Sequence, residues 1–281
     1  MTLLRGLAIS ACLIVVNACA SVPIAHHQAL RVMTYNIEYG HEGLDKVAAV
    51  IRDQHPDIVG LQEVDVHWSA RSNFVDQAAT LSKATGMSYR FAHIYEMQNT
   101  DASNRPREFG VALLSRYPIT AFSNHNITRH STQDSTAAPS PMPGLLEARI
   151  DVNGRAFRVF NVHLDYRGDA TVRTLQVKEI LQYIGNDTIP TILTGDLNAA
   201  PEAPELHTLL RFMVDAQGGV KDEFTYSTTR PEKRIDYVLT SGNICGIAAR
   251  RVNAFASDHF PVVAEISSDK MCINFRNSSA P

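Results

Sequence analysis

The sequence predicts a single α/β (α+β) domain in which two mixed β-sheets pack together and helices lie on the outside. Strand-like segments alternate with helical ones over 281 residues, of which 44% are hydrophobic, and this is enough for a sizeable core. The strand-like segments fall into two runs separated by helices, and no linker rich in Pro, Gly or Ser divides the chain. The same composition excludes a disordered or collagen-like chain.

The first half of the chain carries two predicted helices among strands. Leu44–Gln54 repeats apolar residues at intervals of three and four, which is typical of an amphipathic helix. Residues 74–84 predict a second helix, which Gly86 ends. Apolar runs predict strands at residues 31–37, 57–62, 89–93 and 110–115.

The second half begins with a hairpin. Asn153 and Gly154 stand between two strand-like runs, residues 145–152 and 157–164, and Asn-Gly in this setting is the strongest short signal for a β-hairpin. Apolar runs predict further strands at residues 191–194, 235–239 and 262–266.

One more helix and two long loops complete the expected fold. Apolar spacing predicts a helix over Thr171–Ile184. Residues 97–107 and 129–143 are irregular, and we expect them to form the rims of a substrate cleft. The residues of the helix that are expected to face inward are Val172, Leu175 and Ile180.

Residues 1–20 have the order of a secretory signal, with Arg5 before an apolar run too short to span a bilayer and small residues at the end. Cleavage after Ala20 is one reading. In the other, the preceding residues resemble a bacterial lipobox and Cys19 is acylated. Both predict an exported protein: periplasmic, an outer-membrane lipoprotein, or secreted. Only such a lipid anchor would connect it to the membrane.

The expected main domain spans residues 30–267, and a C-terminal tail follows at residues 268–281. Cys245 and Cys272 are the cysteines left outside the signal segment. In an oxidising compartment they either form a disulfide that holds the tail or stay as two free thiols, and the sequence leaves both open. Without CxxC spacing they do not predict a zinc site.

Polar and charged residues stand at the ends of six predicted strands or within them. A charge beside a buried strand is costly unless it is paired or binds a metal. Six strands with this feature therefore predict one common site rather than isolated polar residues of the core. The residues are Asn36, Glu63, His163, Asp196, Asn198, Asp236, Asp258 and His259.

This set of side chains points to a hard divalent cation. Carboxylates and amides with little sulfur suit Mg²⁺ or Mn²⁺. There is no HExxH pair, no glycine-rich phosphate loop and no Gly-x-Ser-x-Gly elbow, so zinc proteolysis, nucleoside-triphosphate binding and serine hydrolysis lack support. A cation with two histidines can polarise a phosphoryl oxygen, orient a water and offset charge on a phosphate.

Seven short motifs occur in the order seen in the endonuclease/exonuclease/phosphatase superfamily, the DNase I-like metal-dependent phosphohydrolases. The chain resembles an exported bacterial member over residues 30–267. The resemblance implies a four-layer α/β/β/α sandwich with the site at the edge where the two sheets meet. The motifs are Thr34-Tyr35-Asn36-Ile37, Leu61-Gln62-Glu63-Val64, Leu114-Ser115-Arg116-Tyr117-Pro118-Ile119, Asn161-Val162-His163-Leu164, Gly195-Asp196-Leu197-Asn198, Arg234-Ile235-Asp236-Tyr237 and Ser257-Asp258-His259-Phe260-Pro261-Val262.

The resemblance implies a Mg²⁺ or Mn²⁺ cofactor and assigns roles to the acids and amides. Glu63 is similar to the principal metal ligand, with Asn36 beside it, and Asp258 would approach the same ion or a second one. Asp196 resembles the carboxylate that orients or deprotonates the attacking water. Asn198 resembles the amide that holds this carboxylate and the scissile phosphate.

The two histidines also have counterparts in the superfamily. His259, paired with Asp236, would stabilise the developing charge of the phosphate or protonate the leaving oxygen. His163 resembles the second histidine, which donates to a non-bridging oxygen, and Glu108 is the candidate for a carboxylate behind it.

Three further residues are candidates for substrate binding. Arg71 is one of them. Arg173 and Gln176 lie one helical turn apart and could point together at the site, although a structurally paired or solvated helix face explains them equally well.

Three classes of function follow, and we expect a monomer in each. The favoured one is a metal-dependent phosphohydrolase, a phosphodiesterase on small or lipid-derived phosphodiesters. The second is a secreted or periplasmic DNase I-like nuclease, for which 26 basic and 29 acidic residues, a net charge of −3, provide no overall attraction to nucleic acid. The third is a non-catalytic binding module, which the completeness of the polar set disfavours.

Overall fold

The computed structural model describes residues 29–98, 105–218 and 223–267, with the backbone alone at residues 245–247. Several sequence predictions lie outside the described residues. They are the signal segment 1–20 with Cys19, the pairing of Cys245 with Cys272, and the tail 268–281.

Within the described residues, twelve strands form two six-stranded sheets, ordered β11-β12-β1-β2-β4-β3 and β5-β6-β7-β8-β10-β9. Both sheets are mixed, because β1–β2 and β7–β8 are parallel pairs and the other neighbours are antiparallel. The strands are β1 (Leu30–Asn36), β2 (Ile58–Val66), β3 (Ser88–Met97), β4 (Arg107–Ser115), β5 (Ile119–Arg129), β6 (Ser140–Val152), β7 (Arg155–His163), β8 (Thr191–Asp196), β9 (Met213–Asp215), β10 (Asp236–Ser241), β11 (Cys245–Arg251) and β12 (Val262–Ser267).

Helices cover the outer face of each sheet, so the fold has the four layers α/β/β/α. Val47 and Leu81 belong to the core between the first sheet and its helices. Ile180 and Leu206 belong to the corresponding core on the second sheet. A third core fills the space between the sheets. In the described ranges, no helix has the length and hydropathy to cross a bilayer. The helices are α1 (Leu44–Gln54), α2 (Gln77–Thr85), α3 (Thr171–Ile184) and α4 (Pro204–Leu210).

The predicted fold class is therefore confirmed, and the differences lie in particular elements. Helices α1 and α3 have the predicted bounds. Strands β3 and β4 reach into the predicted loop 97–107, and β6 already begins at Ser140, inside the other predicted loop. Helix α2 begins at Gln77 instead of residue 74, because Asp76 caps it by accepting the backbone N–H of Ala79 at 2.8 Å.

The prediction that Leu175 faces inward is wrong, since this side chain is 41% exposed. The buried face of α3 advances in steps of four through Val172, Gln176 and Ile180, and Leu175 falls on the opposite side. Three strands and one α-helix were not predicted from the sequence, namely β5, β9, β11 and α4.

Buried polar side chains join the two sheets close to the strand ends. Nε2 of Gln62, on β2, donates to Oδ1 of Asn161, on β7, at 2.7 Å. Nδ2 of Asn161 donates in turn to the carbonyl oxygens of Leu61 and Ala112, at 2.9 Å each. Because an unpaired buried polar group is costly, this satisfied network specifies how the sheets align. We call Gln62, Asn161 and their partners Thr34 and Thr194 the polar seam.

Gly60 permits the close approach of the sheets at the polar seam. A Cβ atom at this position would lie 2.1 Å from Oγ1 of Thr194 and 2.6 Å from Oδ1 of Asn161. Real Cβ atoms do not approach other atoms so closely, so a side chain here would push the sheets apart or break the seam.

We predict that Gly60→Ala lowers the free energy of unfolding by about 1–3 kcal/mol, the usual cost of over-packing a core. Urea denaturation measures this loss. Gly168→Ala is the matched control, because a Cβ there meets no atom within 4 Å. Equal stability of the two variants would show that the sheets do not need glycine at position 60.

Candidate active site

Strand register brings three predicted site residues side by side on the second sheet. The parallel β7–β8 pair sets His163 opposite Asp196. The antiparallel β8–β10 pair sets Asp236 opposite the same Asp196. These residues stand at the ends of apolar strands, so their side chains reach one edge of the sandwich while the strands stay in the core.

The first sheet contributes its residues at the same edge. Asn36 pairs with Gln62, so Glu63 follows directly on the neighbouring strand. The β2–β4 register shifts between Leu61 and Val64, and Glu63 has a φ of 57°, in the left-handed region. A backbone conformation that a non-glycine residue rarely adopts is typical of functional sites, where it aims one side chain.

The segment before β12 lies against the end of β1. Oγ of Ser257 donates to the carbonyl oxygen of Asn36 at 2.7 Å and accepts the backbone N–H of His259 at 3.2 Å. Ser257 thereby fixes His259 beside Asn36, although the two are far apart in the chain.

The amide of Asn36 connects the two halves of the site. Its Nδ2 lies 3.1 Å from Oε1 of Glu63 and 3.1 Å from Oδ2 of Asp196. Its Oδ1 accepts the backbone N–H of Glu38 at 3.1 Å. In this orientation the amide nitrogen faces both carboxylates, so Asn36 holds Glu63 and Asp196 together by donating to them. A role as metal ligand stays a prediction.

His259 and Asp236 form a buried pair. Nδ1 of His259 lies 2.9 Å from Oδ2 of Asp236, and both residues are shielded from solvent. Burial lowers the pKa of His259, but the nearby carboxylates of Asp236 and Asp196 outweigh burial and raise this pKa to about 10. His259 is therefore an imidazolium at neutral pH.

Asp196 lies at the centre of the nitrogen groups. Its Oδ2 is 3.5 Å from Nε2 of His163 and 3.6 Å from Nε2 of His259. Its Oδ1 accepts the backbone N–H of Asn198 at 2.9 Å. Burial, together with the charge of Asp236, raises the pKa of Asp196 above its ordinary value. A carboxylate of this kind is more basic than one in water and suits proton transfer.

A cluster of carboxylates lies on the other side of the site and fits a divalent cation. Burial raises the pKa of Asp258, and the negative charge of Glu63 adds to the effect even though His259 opposes it. Burial and the charge of Asp258 likewise raise the pKa of Glu38. These acids repel one another, and their oxygen atoms are the ligands that Mg²⁺ and Mn²⁺ prefer. Glu63 and Asp258 are therefore suited to hold such an ion.

The triad of Asp196, Asp236 and His259 also has its ligand atoms within 4.8 Å of one another. Within this triad Nδ1 of His259 contacts Asp236, and its other nitrogen, Nε2, lies 3.6 Å from Oδ2 of Asp196.

The pocket at this edge has a volume of about 260 Å³ and holds most of the predicted site residues. The site also includes residues, inside and beside this pocket, that the sequence did not single out. Glu38 follows Asn36 by two positions, which is the one signal that could have found it. Tyr226, whose ring centroid is 4.8 Å from that of His259, and Lys233 come from an irregular loop without a pattern to indicate them. Ser257 was noticed only as part of a motif.

The expectation that Glu108 stands behind His163 is wrong. Oε1 of Glu108 lies 3.4 Å from Nδ1 of His93, on the neighbouring strand β3. The carboxylate within reach of His163 is Asp196. Glu108 and Phe109 are neighbours on β4, and neighbouring side chains of a strand point to opposite faces of the sheet. The side chain of Glu108 therefore lies on the face opposite that of Phe109.

The three substrate-binding candidates have different surroundings. Arg71 makes a bidentate pair with Asp65, at 2.7 and 2.9 Å, and its guanidinium lies 4.2 Å from the ring centroid of Tyr39. Arg173 is buried, and its Nε is 2.9 Å from Oε1 of Glu205, which fits the structurally paired alternative. Gln176 is also fully buried.

This sandwich, with acids, amides and imidazoles gathered at one edge, defines a class of proteins that hydrolyse phosphoester bonds. The chain belongs to the endonuclease/exonuclease/phosphatase family, whose sequence profile matches residues 33–259. Members of this family are hydrolases of phosphoester bonds, and they generally use a divalent metal ion.

The chain is similar to several known proteins. Sphingomyelinase C of Bacillus cereus is 24% identical over 210 residues, which are 65% of this chain and 60% of that protein. The uncharacterised protein YbhP of Escherichia coli is 25% identical over 264 residues, which are 85% of this chain and 96% of YbhP. The crystal structure of an endonuclease/exonuclease/phosphatase from Beutenbergia cavernae has a TM-score of 0.68 at 24% identity, covering 85% of this chain and 71% of that one. This last likeness supports the fold alone.

We predict that Asp236→Asn lowers kcat by about a hundredfold or more and shifts the alkaline limb of the pH–rate profile to lower pH. The carboxylate of Asp236 raises the pKa of His259, so its removal lets the imidazolium lose its proton at a lower pH. Profiles measured with bis(p-nitrophenyl) phosphate test this, and Asp53→Asn, an exposed acid on α1, is the control. An unshifted alkaline limb in Asp236→Asn would refute the coupling.

A second prediction concerns the metal. Glu63→Gln should raise the Mg²⁺ concentration for half-maximal activity by about tenfold or more, because a neutral amide binds a hard cation more weakly than a carboxylate. Titration of activity with Mg²⁺ measures this requirement. Glu108→Gln, which removes a carboxylate beside His93, should leave it unchanged. The same requirement in Glu63→Gln and wild type would remove Glu63 from the ligand set.

Proposed function

We propose that this chain is a divalent-metal-dependent phosphodiesterase that acts on small or lipid-derived phosphodiesters. The observation that carries the proposal is the convergence at Asp196. This buried carboxylate, two histidines and Glu63 line one pocket, and Asn36 contacts both Glu63 and Asp196.

Asp196 activates the attacking water in this proposal. Its raised pKa makes it a better proton acceptor than an ordinary carboxylate, and the backbone N–H of Asn198 holds one of its oxygens. Nδ2 of Asn198 itself donates to the carbonyl oxygen of Leu164 at 3.1 Å, which fixes the turn after β8. Asn198 therefore supports Asp196 through its backbone, and its contact with the scissile phosphate remains part of the proposal.

The histidines neutralise the phosphate. His259, kept protonated by Asp236, offers a positive Nε2–H to the phosphoryl group as negative charge develops on it. His163 donates to a second non-bridging oxygen from the neighbouring strand. A phosphodiester anion repels nucleophiles, so donors held in advance of the reaction lower the barrier without reorganisation.

The cofactor of the proposed reaction is Mg²⁺ or Mn²⁺. Glu63 and Asp258 would hold it, and Asn36 orients Glu63 by donating a hydrogen bond to its Oε1. When bound, such an ion polarises a phosphoryl oxygen and offsets negative charge. Glu38, whose Oε2 accepts the backbone N–H of Asp258 at 3.3 Å, orients the segment that carries the second ligand.

The similarity to sphingomyelinase C supports a lipid-derived or related phosphodiester as substrate. The net charge of −3 does not support tracking of a polyanion along several phosphates. We also propose that the protein is exported and works in the periplasm, at the cell surface or outside the cell, since residues 1–20 have the features of a secretory signal. Mass spectrometry of the mature N-terminus tests this, and an intact Met1 would refute it.

The activity is tested with a substrate panel of bis(p-nitrophenyl) phosphate, sphingomyelin, glycerophosphodiesters and plasmid DNA, each with Mg²⁺, Mn²⁺ or EDTA. We expect metal-dependent turnover of at least one small or lipid phosphodiester at a rate well above that on DNA. Asp196→Asn is the control for a contaminating activity. Efficient cleavage of DNA would instead support the nuclease, and no turnover of any phosphoester would support a binding module.

A further inference from the structure

A second pocket, of about 190 Å³, adjoins the active site. It shares the lining residues Glu63, His163 and Tyr166 with the active-site pocket. We call it the side pocket. Its other walls come from β3, β4, the end of β5, the segments after β5 and β7, and α3, and they include Tyr95, Phe109, Arg129, Asp165, Arg167 and Gln176.

Arg129 brings a positive charge to the side pocket. This residue is only 6% exposed, and Nη1 donates to the carbonyl oxygen of His163 at 2.8 Å. Nε and Nη2 donate to the carbonyl oxygens of Pro143 and Gly144 at 3.1 Å each. Within the described residues, no carboxylate lies at ion-pair distance from it. Burial lowers its pKa to about 10, so it remains charged at neutral pH.

Gln176 adds an unpaired donor. Its Oε1 accepts the backbone N–H of Asp165 at 3.0 Å, which fixes the orientation of the amide. Its Nε2 is buried and has no hydrogen-bond partner among the described residues. A buried donor without an acceptor is costly, and a ligand oxygen in the side pocket would satisfy it.

The charge of Asp165 acts on Arg129 from a distance, but among the described residues no acid of the side pocket forms an ion pair with it. Oδ1 of Asp165 accepts the backbone N–H of Arg167 at 3.0 Å, and its Oδ2 pairs with the Arg167 guanidinium. Glu63 faces the active site, where Asn36 contacts it. Besides Asp165, Arg129 and Gln176 are the buried polar residues that line the side pocket.

The aromatic walls by themselves do not decide which ligand fits. Tyr95 and Phe109 stack with a centroid separation of 6.2 Å, and the exposed Tyr166 lines both the side pocket and the active-site pocket. Such rings would accept a quaternary ammonium as readily as the apolar face of a polyol. The buried positive charge distinguishes these ligands, because it repels a cation and attracts an acceptor.

We propose that the side pocket binds the organic group of the phosphodiester and selects one that carries hydrogen-bond-accepting oxygens, an anionic group best of all, over a quaternary ammonium. The proposal rests on the function proposed above. It gives Arg129 and Gln176 a role in specificity. The preference proposed for this chain differs from the one that the name of its relative, sphingomyelinase C, suggests.

Three p-nitrophenyl phosphodiesters test the proposal, with glycerate, glycerol or choline as the second ester group. Release of p-nitrophenol reports turnover of each in the same assay. We expect kcat/KM to fall in that order, with glycerate preferred over choline by about tenfold or more, which is within the contribution of one charge-assisted hydrogen bond. Equal values, or a preference for choline, would overturn the proposal.

Gln176→Glu tests the assignment to the pocket. The substitution keeps the oxygen that accepts the Asp165 N–H. It replaces the unpaired donor with a negatively charged oxygen in the side pocket, which Arg129 also lines. The preference for glycerate over choline should fall by about tenfold. Gln182→Glu adds the same charge to an exposed position of α3 and should leave the preference unchanged. An unchanged preference in Gln176→Glu, with circular dichroism like wild type, would refute the assignment.

The two proposals fail in different ways. Absence of turnover of all three esters and of bis(p-nitrophenyl) phosphate would refute the phosphodiesterase itself. Turnover of all of them without the expected order would leave the phosphodiesterase in place and refute the side pocket alone.

Discussion

The arrangement of the site depends on one buried amide. Asn36 ends β1, and its Nδ2 donates to a carboxylate from each sheet, Glu63 and Asp196. Its backbone carbonyl receives the hydroxyl of Ser257, which in turn orients His259. A single residue therefore sets the distance between the cation-binding side and the water-activating side. Two like charges repel each other, and the neutral amide donor between them offsets part of this repulsion.

The alignment of the two sheets next to the site also depends on buried polar groups. The polar seam replaces part of what would be an apolar contact between the sheets with directed hydrogen bonds, and these are satisfied only in one register. An apolar interface tolerates sliding, whereas the Gln62–Asn161 bond at 2.7 Å does not. Because the strand ends inherit this alignment, Asn36, Asp196 and Asp236 meet at the same edge.

The sequence predicted the fold class and most of the strongly periodic elements, since burial on one face leaves a regular pattern. Helix α1 illustrates this, with its buried residues on one stripe. Strand β5 was missed because it is largely exposed and polar, and β9 because three residues carry no period. The orientation of α3 was mistaken because Arg173 and Gln176, polar in type, are buried while Leu175 is not.

The site could be predicted in its members but not in its connections. Polar residues after apolar strands stand out in the chain, which is why Asn36, Asp196 and Asp236 were found. Which acid faces which histidine depends on register and on the face of the strand, so Glu108 was paired with the wrong one. Glu38 and Tyr226 lie in irregular backbone, where no period marks a residue as pointing inward.

The pairing of β1 with β12 determines how much of the chain must be made before the site is complete. The Ser257–Asn36 hydrogen bond joins positions 221 residues apart, and β1 lies between β2 and β12 in the first sheet. During synthesis, a chain that has emerged only as far as β10 has neither the last neighbour of β1 nor His259. Contacts between such distant segments close slowly. The nascent chain therefore lacks a complete site until nearly its whole length has been made.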